Sequence, residues 1–303
     1  MMTITQKIQN LSVPQGKIDV ILDTDAFNEI DDQYAIAYLL RSGDKLNTKA
    51  IYAAPFHNHK VSSPAEGMEL SYKEIKKILK LAEGETEVFR GSKAFLPNEE
   101  TPVVSEAAQD LALRANDYSP ENPLYVVAIG AITNIASAIL LNSKVCENVV
   151  VIWLGGHAQH FHNNWEFNMR QDVAAARVVF GSGVPLVQLP CRGVVSEFTL
   201  SKPEIESWIL GKSALADYLG KNTIRHLTEC RESHIWSKPI WDVTAVAWLL
   251  NENDRFMLSR IVSTPMPTYD LLYAQNPNGE PMRYVYYIQK EPLLIDLIEN
   301  ITR

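Results

Sequence analysis

The chain has 303 residues, of which 46% are hydrophobic and 21% charged, a composition typical of a globular protein with a large core. It contains 28 lysines and arginines and 36 aspartates and glutamates, which gives a net charge of −8. This charge argues against a nucleic-acid partner, because proteins that bind nucleic acid usually carry a basic patch. The 3 cysteines lie far apart, which indicates neither a disulfide framework nor a zinc knuckle and favours a reducing cytoplasm.

Strands and helices alternate along the first two thirds of the chain. Predicted strands cover residues 20–22, 49–55, 88–90, 124–129, 149–154 and 184–189. Predicted helices cover residues 31–41, 71–82, 105–116, 133–141 and 172–180. Because this order forms βαβ units, it predicts an α/β fold with an open, mostly parallel sheet and helices on both faces.

The last third of the chain is less regular. Residues 202–231 are expected to be helical in pieces, and residues 241–250 form a further predicted helix. Residues 260–262 and 284–289 are predicted strands, antiparallel at a sheet edge. Since no repeat or break in composition divides the chain, residues 1–303 are expected to form a single domain.

A cluster of acidic residues directly follows the first predicted strand. Residues 23–32 contain four aspartates, one glutamate and one asparagine. Ligands of open α/β sheets bind beyond the carboxyl ends of the strands, and crowded carboxylates repel one another unless a cation lies between them. The cluster therefore predicts a metal site, and its oxygen ligands favour calcium or magnesium over zinc. Asp31 taken alone is more typical of a helix cap.

The loops after three other predicted strands are also polar. They cover residues 57–59, 130–134 and 155–168. Amide and carboxylate groups pair well with sugar hydroxyls, so this edge of the sheet is expected to bind a sugar. A zinc site at His157, His160 and His162 is the weaker interpretation, because their spacing in a glycine-led loop is unusual for zinc.

These motifs together resemble the inosine–uridine-preferring nucleoside hydrolase family from about residue 18 to about residue 250. Asp23 and Asp25 match the family's Asp-x-Asp motif, and Asp31 and Asp32 match its Asp-Asp pair, after a longer loop at residues 26–30. Later matches are Gly130-Ala131-Ile132-Thr133-Asn134, Leu154-Gly155-Gly156, Asn164, Glu166-Phe167-Asn168, Asp172-Val173-Ala174-Ala175 and Asp242.

The resemblance implies a Rossmann-like nucleoside hydrolase fold and hydrolysis of a ribonucleoside to ribose and free base. It implies a calcium ion held by Asp25, Asp32, the backbone carbonyl of Thr133 and Asp242, with a calcium-bound water as nucleophile. Asp25 would be the general base. Substrate contacts are expected from Asp31, Asn58, Asn164, Glu166, Asn168 and His157. Family members are usually dimers or tetramers, so a homodimer or homotetramer is expected.

Trp241 departs from the family pattern, because many members carry histidine there as the acid that protonates the leaving base. An indole hardly ionises, but its ring stacks well on a purine. Trp241 is therefore expected to help the base depart by stacking and to favour purine nucleosides over uridine. Packing in the core beside Asp242 is the alternative, and a histidine at 157, 160, 162 or 234 is an alternative proton donor.

Two other functions remain open from the residues alone. One is a calcium-dependent module that binds nucleosides or sugars without turnover, which the absence of a histidine at Trp241 keeps possible. The other is a phosphatase of the haloacid dehalogenase type, which Phe27 disfavours because those enzymes need threonine or valine there. The expected partner is a small-molecule nucleoside, with no nucleic acid and no membrane, in the cytoplasm.

Overall fold

The computed structural model of the protein describes residues 2–230 and 235–303. Its strands are β1 (Ile18–Thr24), β2 (Leu46–Ala53), β3 (Glu87–Arg90), β4 (Leu124–Ala128), β5 (Val149–Leu154), β6 (Leu186–Leu189), β7 (Thr199–Ser201), β8 (Ser237–Pro239), β9 (Met257–Ser263), β10 (Met266–Pro267), β11 (Tyr273–Ala274) and β12 (Pro281–Ile288). Its helices are α1 (Ile4–Asn10), α2 (Asp31–Arg41), α3 (Pro64–Ala82), α4 (Glu106–Arg114), α5 (Thr133–Leu141), α6 (Val145–Asn148), α7 (Phe167–Gln171), α8 (Val173–Gly181), α9 (Lys202–Glu204), α10 (Ala214–Cys230), α11 (Val243–Leu249) and α12 (Lys290–Ile301).

An eight-stranded sheet with the order β3-β2-β1-β4-β5-β6-β12-β9 organises the protein. Neighbouring strands from β3 to β12 run parallel, and β9 pairs antiparallel with β12 at the edge. The predicted open, mostly parallel α/β sheet is therefore confirmed. The late antiparallel pair is confirmed too, with the addition that β12 itself lies parallel to β6.

The central strands are buried on both faces, which explains their continuous apolar sequences. One face of the sheet packs against a core that includes apolar residues of α2, α3, α11 and α12. The opposite face packs against a core that includes residues of α4, α5 and α8. Helices thus cover both faces, as predicted. None of the described helices is both long and apolar enough to cross a membrane.

Observed boundaries agree with the predicted ones most closely where capping or burial is strong. Helices α2 and α5 and strand β5 have the predicted bounds. Helix α3 starts earlier than predicted because Ser63 caps it and Pro64 occupies its first turn. The predicted helical stretch 202–231 divides into α9, a π-helical turn at Ile205–Ile209, and α10, and Arg231 lies outside the described residues.

A hydrogen-bond network ties the start of α5 to the end of β1. The Asn134 side chain donates to Asp23 Oδ1 over 2.7 Å and accepts from the Ser92 backbone N–H over 2.8 Å. All three residues are fully buried. The network fixes the carboxyl ends of β1, β3 and β4 relative to one another, and the acidic cluster starts from this edge.

Candidate active site

A cavity of about 530 Å³ opens where β1, β2, β4, β5 and β6 end. Its lining comes from the loops after these strands, from α10 and from the segment before α11. Of the predicted site residues, it brings together Asp25, Asp31, Asp32, Asn58, His157, Glu166, Asn168, Trp241 and Asp242. Thr133 and Asn164 are not among the lining residues.

Four buried aspartates form the acidic part of the cavity. Carboxylate oxygens of Asp31, Asp32 and Asp242 all lie within 4.8 Å of one another. Asp32 also contacts Asp25 and accepts a hydrogen bond from Thr24 Oγ1 over 2.5 Å. Ile30, not Asp31, is the N-cap residue of α2, so the helix-cap interpretation of Asp31 is not supported.

Burial and mutual repulsion raise the pKa values of these carboxyl groups. Burial, followed by the charge of Asp31, raises the pKa of Asp32 to about 7. The pKa values of Asp25 and Asp242 lie well above the ordinary range, because of burial and then of neighbouring aspartates. Ionised carboxylates at this spacing need a cation between them.

The donor set fits a hard divalent cation. It consists of oxygen atoms only, and Asp25 Oδ2 is buried without a hydrogen-bond partner among the described residues. His157, His160 and His162 are absent from the candidate metal-binding group found within residues 2–230 and 235–303. The carboxylates therefore form the candidate metal centre, and the zinc interpretation has no structural support.

The prediction for Thr133 needs correction. Thr133 is the first residue of α5, its side chain donates to Asp172 Oδ2 over 2.7 Å, and it does not line the cavity. The chain leaves β4 at Ile129, which does line the cavity, and a methyl group added at the next residue, Gly130, would lie 3.2 Å from Asp25 Oδ1. By Thr133 the backbone has already turned into the helix, where carbonyl groups point along the helix axis.

Glu166 and Asn168 are held rigidly on the cavity wall at the start of α7. Glu166 accepts hydrogen bonds from the backbone N–H groups of Gly156, Asn168 and Met169, at 2.8 to 2.9 Å. The Asn168 side chain donates to the carbonyls of Ile129 and Leu154. Burial raises the pKa of Glu166, and the three N–H groups act against that shift. Both side chains are preorganised for contact with a polar ligand.

Asn164 and His157 have different roles in the structure. Asn164 lies behind the cavity and accepts a 2.6 Å hydrogen bond from the His157 backbone N–H, so it positions the loop. His157 lines the cavity and is 3% exposed, and neither ring nitrogen has a partner among the described residues. Burial, with the charge of Arg192, lowers the pKa of His157 to about 4, so the ring is neutral at pH 7.

Asn58 faces the cavity next to a residue that sequence reasoning had not singled out. Its side-chain amide donates to Asn28 Oδ1 over 2.8 Å, and its own carbonyl oxygen accepts from the Lys60 backbone. Asn28 also lines the cavity and lies within the acidic cluster, which was the available signal for it.

Trp241 is half-buried between the core and the cavity. Its indole N–H donates to Ser196 Oγ over 3.0 Å, and the Lys238 ammonium lies 3.9 Å above its ring. Lys238 is buried and pairs with Glu29 and, at 3.8 Å, with Asp31. Burial acts to lower the pKa of Lys238, but Asp31 and Glu29 outweigh it, and the pKa is raised. Lys238 was missed because it belongs to no motif, although the predicted site residues Trp241 and Asp242 follow closely in the sequence.

Basic and imidazole side chains on the rest of the lining were also missed. They are Lys60, Arg170, Arg192 and His226. Of the alternative proton donors, His160 and His162 are exposed and do not line the cavity, whereas His234 lies outside the described residues.

The fold and the cavity define an α/β protein with a buried, oxygen-only carboxylate centre at the carboxyl edge of its sheet. The chain belongs to the inosine-uridine preferring nucleoside hydrolase family, whose sequence model matches residues 20–280.

Curated relatives match a shorter part of the chain. The pyrimidine-specific ribonucleoside hydrolase RihB of Escherichia coli O1:K1 is 27% identical over 136 residues, which cover 43% of this chain and 43% of that protein. The same matched segment covers 55% of a homologous protein of Shigella boydii, so the match spans about half the length of these relatives.

Solved structures match nearly the whole chain. A purine-preferring ribonucleoside hydrolase from Gardnerella vaginalis has a TM-score of 0.76 at 18% identity, covering 94% of this chain and 98% of its own. A plant nucleoside hydrolase has a TM-score of 0.75 at 19% identity, covering 94% and 99%. These likenesses confirm the nucleoside hydrolase fold.

Proposed function

We propose that the protein hydrolyses the N-glycosidic bond of a nucleoside, giving the sugar and the free base. The observation that carries this proposal is the buried cluster of Asp25, Asp32 and Asp242 in a cavity that also contains the preorganised Glu166 and Asn168. Family membership supports the same activity and disfavours the phosphatase alternative.

We propose calcium as the metal of this centre, held by Asp25, Asp32 and Asp242. Ile129 replaces Thr133 in this proposal as the source of a backbone carbonyl ligand, because it directly follows β4, lines the cavity and precedes Gly130, which lies beside Asp25. When bound, calcium supplies an anchor for vicinal sugar hydroxyls and makes a nearby water more acidic.

The protein's own groups then perform the proton and charge chemistry. Asp25, with Oδ2 free of hydrogen bonds from the described residues, accepts a proton from the attacking water. The water oxygen bonds to C1′ as the C1′–N bond breaks, and the base leaves with the electron pair. Positive charge that grows on the ribose is stabilised by neighbouring carboxylates, as in other glycoside hydrolyses. Asp31, Asn58, Glu166 and Asn168 are proposed to bind ribose hydroxyls.

Trp241 is proposed to stack on the departing base. The Lys238 ammonium lies 3.9 Å from the ring centroid, and Trp241 is also one of the residues that line the cavity. Stacking on an aromatic face is worth about 1–3 kcal/mol per base in nucleic-acid complexes. The indole N–H already donates to Ser196, so Trp241 contributes its ring rather than a proton. We therefore propose a preference for purine nucleosides, although the curated RihB relatives are named pyrimidine-specific.

The proposal also covers the domain organisation, the oligomeric state and the compartment of the protein. We propose a single domain across residues 1–303, supported by a sheet that takes strands from β1 to β12. We also propose a homodimer or homotetramer in the cytoplasm. Unpaired Cys146 and Cys191 are consistent with that compartment.

A panel of nucleosides tests the activity directly. Protein saturated with calcium is incubated with inosine, guanosine, adenosine, uridine and cytidine, and the free base is measured by chromatography. We expect turnover, its loss on removal of calcium and its return on readdition. The matched control Asp44→Asn removes an exposed aspartate far from the centre and leaves turnover unchanged, whereas Asp32→Asn abolishes it.

A binding protein without turnover is the second candidate, and the absence of an acid at Trp241 favours it. Calorimetric titration of the same nucleosides separates the two functions. Tight binding without release of base selects the binding protein and overturns the hydrolase.

A further inference from the structure

The entrance of the cavity carries positive charge, in contrast to its acidic centre. Arg170, Arg192 and Lys60 are exposed and line the cavity. Neither arginine forms an ion pair with any residue that the structure describes, and the Arg170 guanidinium lies 5.1 Å from the centre of the Phe167 ring. In a chain of net charge −8, unpaired guanidinium groups at a ligand cavity indicate a ligand with negative charge.

His157 supplies an independent observation in the same cavity. Its side chain is 3% exposed, and both ring nitrogens lack hydrogen-bond partners among the described residues. Buried polar groups in native proteins are nearly always satisfied, so a ligand atom is expected to contact this ring. The neutral imidazole offers one N–H donor and one acceptor.

Backbone pairing places His157 and Arg192 side by side. The Ala158 N–H donates to the Arg192 carbonyl over 3.0 Å, and the Cys191 N–H donates to the Gly156 carbonyl over 2.8 Å. The loops after β5 and β6 are thereby joined on both sides of His157. The backbones that carry Arg192 and His157 are therefore adjacent, and both residues line the cavity. A guanidinium group and an imidazole N–H are donors that suit the oxygen atoms of a phosphate group.

We propose that the substrate class is a nucleoside 5′-monophosphate, with the phosphate bound by Arg192 and His157 and attracted by Arg170. This inference deepens the proposed nucleoside hydrolysis and rests on it. The ester belongs on the 5′ oxygen because the 2′ and 3′ hydroxyls are assigned to the carboxylate centre. A phosphate on either of those oxygens would face Asp25, Asp31, Asp32 and Asp242.

The proposed reaction balances without a further reactant. Water adds its oxygen to C1′, the C1′–N bond breaks, and the base takes up the equivalent of one proton. The products are ribose 5-phosphate and the free base. The phosphate ester itself stays intact, so no inorganic phosphate is released.

Paired substrates test the inference in the calcium-loaded enzyme. The rate constant kcat/KM is measured for inosine 5′-monophosphate and inosine, in the wild type, Arg192→Gln and Arg170→Gln. Arg41→Gln is the matched control, since it removes an exposed arginine at the end of α2 remote from the acidic centre.

We expect the wild type to prefer the monophosphate by at least about tenfold at low salt. Arg192→Gln should lose about tenfold to a hundredfold on the monophosphate, the range for a charge-assisted contact, and less than about threefold on inosine. Raising the ionic strength should reduce the preference, because the arginines are exposed. Arg41→Gln should behave as the wild type.

Each contrary result has a separate meaning. A wild-type preference for inosine, or equal losses on both substrates in Arg192→Gln, overturns the inference and leaves nucleoside hydrolysis standing. If neither substrate is cleaved, the proposed function fails, and calorimetric titration then decides the inference. Tighter binding of the monophosphate than of inosine, lost in Arg192→Gln, supports the anionic ligand, whereas equal binding overturns it.

Discussion

Removal of the proposed calcium ion should make the protein's stability strongly dependent on pH. Without a cation, burial and neighbouring carboxylates favour the protonated forms of Asp25, Asp32 and Asp242 in the folded state. The unfolded chain releases these protons near pH 4. The folded pKa values are raised, so the stability of the metal-free protein is fully present below about pH 4 and is lost as the pH rises through the folded pKa, about 7 for Asp32.

The magnitude follows from Asp32, which lies at the centre of the cluster. Its pKa rises from 3.8 to about 7, a difference of about three units. At about 1.4 kcal/mol per unit, the free energy of unfolding falls by about 4 kcal/mol across this range. Because the carboxyl groups titrate together, we take this figure as the scale for the cluster rather than for one residue. A bound calcium ion would stabilise the ionised carboxylates in place of their protons. The metal-free protein loses stability as the pH rises, so the stabilising effect of calcium should increase with pH.

Urea unfolding at pH 5, 6, 7 and 8 provides the assay, with metal-free protein and with protein in excess calcium. The measured quantity is the difference in unfolding free energy between the two forms. Burial lowers the pKa of His157, so its contribution to stability is lost as the pH falls, opposite to that of the carboxyl groups. This contribution is common to both forms and cancels in the difference. We expect this difference to increase by about 2–4 kcal/mol from pH 5 to pH 8. Asp32→Asn should remove most of the increase and Asp44→Asn none of it. A calcium effect that is constant, or greater at pH 5, would refute the reasoning.

Substitutions at four residues test individual side chains. Asp25→Asn should lower turnover by about 10²–10⁴-fold with nucleoside binding retained, whereas Glu166→Gln should weaken both, and near-native turnover in Asp25→Asn would contradict the assigned base. Trp241→Ala should lower kcat/KM for inosine and guanosine by about tenfold but not for uridine, with recovery in Trp241→Phe; an equal loss on all three would indicate packing alone. Asn134→Ala should lower the unfolding free energy by about 2–3 kcal/mol, because buried Asp23 and Ser92 lose a partner, and exposed Asn47→Ala should leave it nearly unchanged in urea titrations.

Local patterns were sufficient to predict the sheet and most of the helices around it. Strands such as β5 are continuously apolar, and helices such as α5 are bounded by polar residues. Whether such a segment is a strand or a helix can therefore be predicted from its own sequence and its immediate neighbours. Helix α1, the short pair β7 and β8, and helix α12 were not predicted. Helix α1 lies against β12, which is far away in sequence, and a three-residue strand such as β7 is fixed only by its partner.

The carboxylates of the site were predictable for a topological reason. Residues directly after parallel strands must meet at one edge, so Asp25, the first residue after β1, could be placed without coordinates. Asn168 lies well beyond the end of β5 and was placed through its match to the family's Glu-Phe-Asn motif. Thr133 was misplaced because four residues separate it from the end of the strand, and the chain turns within them. Arg192 and His226 carry no motif. Their place at the cavity depends on loop pairing and on the packing of α10, which sequence periodicity does not report.

Lys238 explains how one cavity holds more carboxylates than a single divalent cation can neutralise. Asp25, Asp31, Asp32 and Asp242, together with Glu29, carry more negative charge when ionised than the proposed calcium ion and Lys238 would supply as positive charge, so this part of the cavity stays negative. The lysine is buried, pairs with Glu29 and Asp31, and has the Trp241 ring against its ammonium group. The remaining negative charge is held in fixed positions beside the ribose. In the proposed reaction, positive charge grows on the ribose as the glycosidic bond breaks, so this negative charge would stabilise the transition state more than the bound substrate, whose sugar ring is uncharged.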